Sequence, residues 1–252
     1  MTCDWLREKF LIWYISSAWS NRSEPPDVIG AKFLNTLRAI ERQDFALTDW
    51  DIGEAEGDAT FSIEQLRETI GEFVAAQDQS DNVGDPWGGY LIGAVSKPGG
   101  VNSGSRSACF YVRAGSKFLN YSSFEIGSNF SPPEAIIITF PLFRSVLLTM
   151  ISLWPAPWAS ARCSIWGEKP KTLPGEPAFP YSGFQMPWLS YLNSERAASV
   201  VVPPEIKTER TPDGGLLMIA AETRFDPTNV EHMRPSRLMA QIMIDHAADP
   251  VW

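Results

Sequence analysis

The stretch from Trp87 to Phe140 constrains the fold more than any other part of the chain. It carries four apolar runs, GGYLIGAV, SACFYVRA, KFLNYSSFEI and EAIIITF, set apart by glycine, serine, proline and asparagine. Runs of this texture read as strands. The linkers between them are too short for the crossover helix that a parallel pair requires, so the strands are expected to run antiparallel. KPGGVNSGS reads as a flexible turn.

Around this meander the pattern alternates between strand and helix. Phe10 to Trp19 is aromatic and β-branched and ends in the turn-forming SNRSEPPD, which predicts an opening strand. Ile29, Phe33, Leu37 and Ile40 follow at spacings of four, four and three, the mark of a helix with one buried face. Phe45 to Ile52 reads as a strand leading into the GEAEGD loop. A second helix is expected from Ser62, with Gln65 completing a capping box and Ile63, Leu66, Ile70, Phe73 and Val74 on its buried stripe.

Leu142 to Trp154 returns to helical spacing until Pro155 and Pro157 forbid continuation. Trp158 to Ile165 is expected to be a strand. The proline-rich, aperiodic stretch from Glu168 to Phe184 reads as a loop or a linker. A short strand is predicted around Trp188 to Leu192, then a brief helix from Ser194. Ile206–Thr211 and Leu216–Ala221 flank the tight-turn sequence PDGG, and a last helix covers about Val230 to His246. This mixed order predicts an α+β fold: a largely antiparallel meander sheet with flanking amphipathic helices. The chain is expected to be either one domain over 1–252 or two lobes, about 1–167 and 185–252, joined by the loop 168–184.

Charge is the most informative aspect of composition. From Asp44 to Asp85 there are twelve acids against one base, Arg67, so this segment carries −11 of a net −9 and the rest of the chain is +2. Nucleic-acid binding requires a basic face that displaces counterions from phosphates, and neither portion supplies one. A basic protein partner suits the acidic segment better. The apolar runs at 10–15 and 135–153 are too short or too interrupted for the roughly 20 residues that span a bilayer, and no secretory leader is recognisable. A cytoplasmic protein is therefore expected. Cys3, Cys109 and Cys163 are scattered, which argues against a disulfide framework or a zinc site.

The chemical candidates are few. Asp226, Glu231 and His232 lie within seven residues and could form a metal or acid/base site of a small hydrolase. Each also has a local explanation. Asp226 precedes a proline, Thr228 with Glu231 fits a capping box, and Asn229 is an alternative N-cap one residue later. Adjacent helical residues such as Glu231 and His232 point about 100° apart, which is poor for sharing a ligand. No nucleophile elbow and no phosphate-cradling glycine motif occurs. No catalytic set, metal site or cofactor is expected. The ten tryptophans are spread over every predicted element and read as packing residues.

Two stretches carry a resemblance. WLSYLNSERAA, followed by VPPEIKTERTPDGGLLMIAAETRFDPTNVEHM, is similar to the C-terminal half of the immunity protein 52 family. That family has a tryptophan-x-x-tyrosine-leucine strand, a proline pair, a hairpin ending in a glycine pair, and an ERFDP-like exit into a last helix. Thr223 departs from that exit. Looser similarity covers WYISSAWSNRSEPPD, FLNTLRAI, Trp50 and LLTMISLWPAPWA. The resemblance implies an antitoxin that binds a cognate restriction-endonuclease-fold nuclease toxin of bacterial polymorphic or type VI secretion systems. Combined with the charge distribution, it nominates Asp49, Asp51, Glu54, Glu56, Asp58, Asp78, Asp81 and Asp85 as toxin-binding residues that imitate DNA phosphates. An adaptor or chaperone for a secreted effector is the remaining alternative.

Overall fold

The computed structural model describes residues 11–20, 24–43, 47, 50–52, 90–96, 108–115, 120–126, 137–165 and 186–247. Among the described residues, nine strands form one sheet in the order β2-β3-β4-β5-β1-β6-β7-β9-β8, and every pair is antiparallel. The strands are β1 Leu11–Trp19, β2 Trp50–Ile52, β3 Tyr90–Ser96, β4 Ala108–Ala114, β5 Asn120–Ile126, β6 Trp158–Ile165, β7 Pro187–Leu192, β8 Lys207–Arg210 and β9 Leu216–Ile219. The helices are α1 Pro26–Glu41, α2 Phe140–Leu153, α3 Ser194–Ala197 and α4 Val230–Ala247. The fold is α+β. The meander holds for β3-β4-β5, but β1 then takes the central position and hydrogen-bonds to both β5 and β6.

Each element follows from its sequence with one exception. α1 opens with Pro26 at its first position, where the missing N–H costs nothing, and Asp27 stands at the positive end of the dipole. EAIIITF, expected as a strand, departs from that reading. Glu134 to Ile136 lie outside the described residues, Ile137 is in a turn, and Thr139 is an N-cap whose side chain accepts a hydrogen bond from the Leu142 amide at 3.3 Å. Threonine followed by Pro141 is a helix-start signal that outweighs the β-branched run. The helix expected from Ser62 lies outside the described residues, as does the segment 168–184.

The two faces of the sheet differ. α1 and α2 cover the first, where Trp13, Ile15, Phe110, Phe124 and Ala161 meet Phe33, Leu37, Phe143 and Leu147. α1 and α2 are tied by Trp154, whose Nε1–H donates to Thr36 Oγ1 at 2.9 Å in a fully buried setting. α4 packs on the second face chiefly over β7 and β9, where Met239 and Met243 join Leu192, Leu216 and Met218 in a cluster that also takes in Ala18 of β1 and Trp158 of β6, with Tyr121 of β5 against it. β7 and β9 are consequently buried on both faces, whereas β4 and β5 alternate buried with half-buried residues. Among the described residues, no helix is long and apolar enough to cross a membrane.

Candidate functional site

The stretch from Arg210 to Met233 resolves into a hairpin, an exit and a cap. In the β8–β9 turn, the Gly214 amide donates to the Thr211 carbonyl at 2.9 Å, and Gly214 adopts a φ of 80°, which glycine takes without penalty. Asp213 organises this turn. Its carboxylate accepts from Thr211 Oγ1 at 2.5 Å, from the Gly215 amide at 3.4 Å, and from the Tyr191 hydroxyl. Burial alone would raise its pKa, but these hydrogen bonds to the charged form outweigh it and hold the carboxyl below its ordinary value. Tyr191 shifts the other way: burial first, then Asp213, pushes its hydroxyl up. WLSYL and PDGG, far apart in the sequence, thus meet through one side-chain pair.

Asp226, Glu231 and His232 do not converge. Asp226 Oδ1 accepts from the Thr228 amide at 2.8 Å and from its hydroxyl at 2.7 Å, while the Asp226 amide donates to His232 Nδ1 at 3.0 Å. Glu231 is exposed and extends toward Arg234, with 3.9 Å between the charged atoms. Of the two N-caps open to the sequence, Asn229 takes the role, accepting from the Glu231 amide at 2.9 Å. The His232 ring stacks on Phe225, centroids 5.9 Å apart. Phe225 in turn joins Trp13, Phe143 and Trp188 in an aromatic cluster, with Trp13 edge-on to the other three and Phe143 tilted on Trp188, that links β1, α2, β7 and the exit from β9. Such pairs add about 0.5–1.5 kcal/mol each beyond their buried area. The trio that looked chemical therefore supports the last helix.

Of the acidic candidates, Asp49, Glu54, Glu56, Asp58, Asp78, Asp81 and Asp85 lie outside the described residues. Asp51 falls in β2, at the register position opposite Val95. From there one row crosses the sheet through Val95, Cys109, Glu125, Tyr14 and Arg162. This is the face that α1 and α2 do not cover, and its residues from Tyr14 to Glu125 are half-buried. The sequence reading passed over its tyrosines, Tyr14, Tyr111 and Tyr121. Their signal was present in the period of two, since each alternates with buried neighbours in WYI, FYV and NYS. Cys109 is half-buried and Cys163 fully so, and burial raises both thiol pKa values, as suits inert packing residues.

Comparison with known proteins places this geometry in context. A solved structure of a T6SS protein from Pseudomonas aeruginosa shares the fold with a TM-score of 0.53, covering 94% of this chain and 76% of that one at 12% sequence identity. No curated protein matches the sequence. The family model for immunity protein 52 matches residues 12–248, nearly the whole chain and all of the described sheet except the start of β1. The WLSYL strand, the PDGG turn held by Tyr191 and Asp213, and the capped exit into α4 are thus parts of one architecture, and the chain belongs to the immunity protein 52 family.

Proposed function

We propose that this immunity protein acts in the cytoplasm of the producing cell by binding a nuclease toxin delivered by a bacterial secretion system, and that it neutralises the toxin without catalysis of its own. The observation that carries the reading is charge. An immunity protein has a protein toxin as partner, and this one concentrates −11 between Asp44 and Asp85. A nuclease presents a basic groove to phosphates. Carboxylates at Asp49, Asp51, Glu54, Glu56 and Asp58, with Asp78, Asp81 and Asp85, would occupy that groove as phosphate mimics and accelerate encounter by electrostatic steering. The local roles of Asp226 and His232 in capping and stacking support binding over hydrolysis.

The test is charge reversal. Replacing Asp49, Asp51, Glu54 and Glu56 together by lysine should slow association with the purified toxin by at least about tenfold at low salt. It should also abolish protection of cells expressing the toxin. Unchanged association rate, affinity and protection would reject the acidic interface.

A further inference from the structure

Resting on a toxin as the partner, though not on that toxin being a nuclease, we propose that the groove between α1 and α2 seats an acidic helix of the toxin. The groove measures about 560 Å³, within the usual range for a binding cleft. Both of its walls follow helical spacing. Asn35, Arg38 and Arg42 come from α1 and its C-cap, and Ser145, Thr149 and Ser152 come from α2. Ala39, Leu148 and Leu153 supply an apolar floor, the two leucines half-buried against the core. Each wall runs for about 10 Å, two helical turns. A straight channel with an apolar floor and polar walls takes an amphipathic helix laid along it.

α2 is poorly suited to face water. A surface helix normally turns charged residues outward. Arg144 is the one charged residue among the fourteen of α2, and its guanidinium is held by Glu209. Hydroxyls and leucines line the groove in place of charges. Side chains this short let a second helix come close, near the lower end of the 8–10 Å range of packed helix axes. The seat is also set before a partner arrives, because the buried hydrogen bond from Trp154 to Thr36 ties α1 to α2. A site fixed in advance loses little entropy on binding.

Charge selects the occupant. Over α1, its C-cap and α2 the bases are Lys32, Arg38, Arg42 and Arg144, and the acids are Asp27 and Glu41. Lys32 is engaged by Glu24 and Arg144 by Glu209. Asp27 stands in the first turn of α1, at the far end from the groove, and Glu41 lies on the flank of α1 outside the lining. Among the described lining residues the charges are therefore Arg38 and Arg42, one turn apart, and none is acidic. A second copy laid across the groove would bring four arginines and two glutamates to one seam, which repels. Two arginines in a chain of net charge −9 are too few for nucleic acid. A helix with carboxylates one turn apart meets both guanidinium groups with charge-assisted hydrogen bonds.

The experiment measures binding of the full chain to the purified full-length protein encoded by the adjacent gene. Replacing Arg38 and Arg42 together by glutamate makes this chain more negative, which by long-range steering alone would favour a basic toxin. The groove predicts the reverse, a Kd weakened by at least about 30-fold, the range of an interface hot spot. Ser152→Tyr, at an exposed position, blocks the groove without changing charge. It should weaken Kd by at least about tenfold with an unchanged melting temperature, a reading that survives if the double variant misfolds. Arg42→Lys keeps the charge and offers an amine that carbodiimide should couple, within the complex, to a carboxylate on a helix of the toxin, located by mass spectrometry. If the wild type binds and folded variants of both kinds bind equally well, or if no such coupling forms, the groove is not the seat and the toxin reading stands. If the wild type itself fails to bind, the toxin reading falls and takes the groove with it.

Discussion

Gly214 and Gly215 sit side by side in the β8–β9 turn, yet the structure gives them different tasks, and substituting alanine at each separates the two. At Gly214 the constraint is φ, 80°, while a Cβ would meet only Ser194 at an ordinary 3.6 Å. Alanine there costs the left-handed conformation, about 1–2 kcal/mol. At Gly215 the constraint is space. A Cβ would lie 2.4 Å from the Tyr191 ring, 2.7 Å from Thr211 Oγ1 and 2.8 Å from the Leu192 carbonyl. The carbonyl belongs to β7, and the ring is pinned by its bond to Asp213, so none of the three can yield cheaply. Overpacking of this kind costs about 1–3 kcal/mol, and displacing Tyr191 from Asp213 adds about 1 kcal/mol. Gly215→Ala should therefore lose about 3 kcal/mol, equivalent to roughly 6–12 °C in Tm for a chain of this size. Urea and thermal unfolding followed by circular dichroism measure both variants. A Gly214→Ala variant less stable than Gly215→Ala, or a Gly215→Ala variant as stable as wild type, would refute the account of this turn.

Thr36→Val keeps the shape of the side chain but leaves the buried Trp154 N–H without its acceptor, so it should destabilise by about 1–3 kcal/mol in urea titrations. The folded state holds Asp213 below its ordinary carboxyl value of 3.8, so its stabilising contribution is complete above that pH and is lost as pH falls through the depressed folded value. Asp213→Asn should accordingly be less stable than wild type at neutral pH, with the difference shrinking in acid melts below about pH 3.8. We propose that the parts on either side of 168–184 unfold together, because β7 hydrogen-bonds to β6 from Trp158 to Arg162 and the aromatic cluster joins β1 to β7. Calorimetry should then give one transition, and two resolved transitions would show separate lobes.

Much of this fold was legible because each local signal had one physical reading. β4 and β5 were readable from their strict alternation, α1 from its four-four-three spacing, and the β8–β9 turn from Asp213-Gly214. EAIIITF misled because β-branched content competes with a threonine cap and a proline, and only packing of Phe143 and Val146 against the sheet decides between them. The central position of β1 has no local signature at all. Its pairing with β5 joins Ser17 to Ser122, a 2.7 Å buried hydroxyl contact between residues 105 apart. The candidate site was legible in its charge and not in its shape. The acids could be counted, but the row linking Asp51 to Tyr14 exists only after five strands have paired, and Tyr111 is distinguished from other tyrosines only by Gly93 beneath it.

The central claim is that this chain protects by holding a nuclease toxin. Calorimetric titration of the full chain into the purified nuclease domain of the protein encoded by the adjacent gene, with DNA cleavage followed in the same samples, tests it most directly. Saturable binding and loss of cleavage in parallel with occupancy, both weakened at high salt, are the expected result. Cleavage that continues at saturating concentrations of this protein, or the lack of any binding, would contradict it.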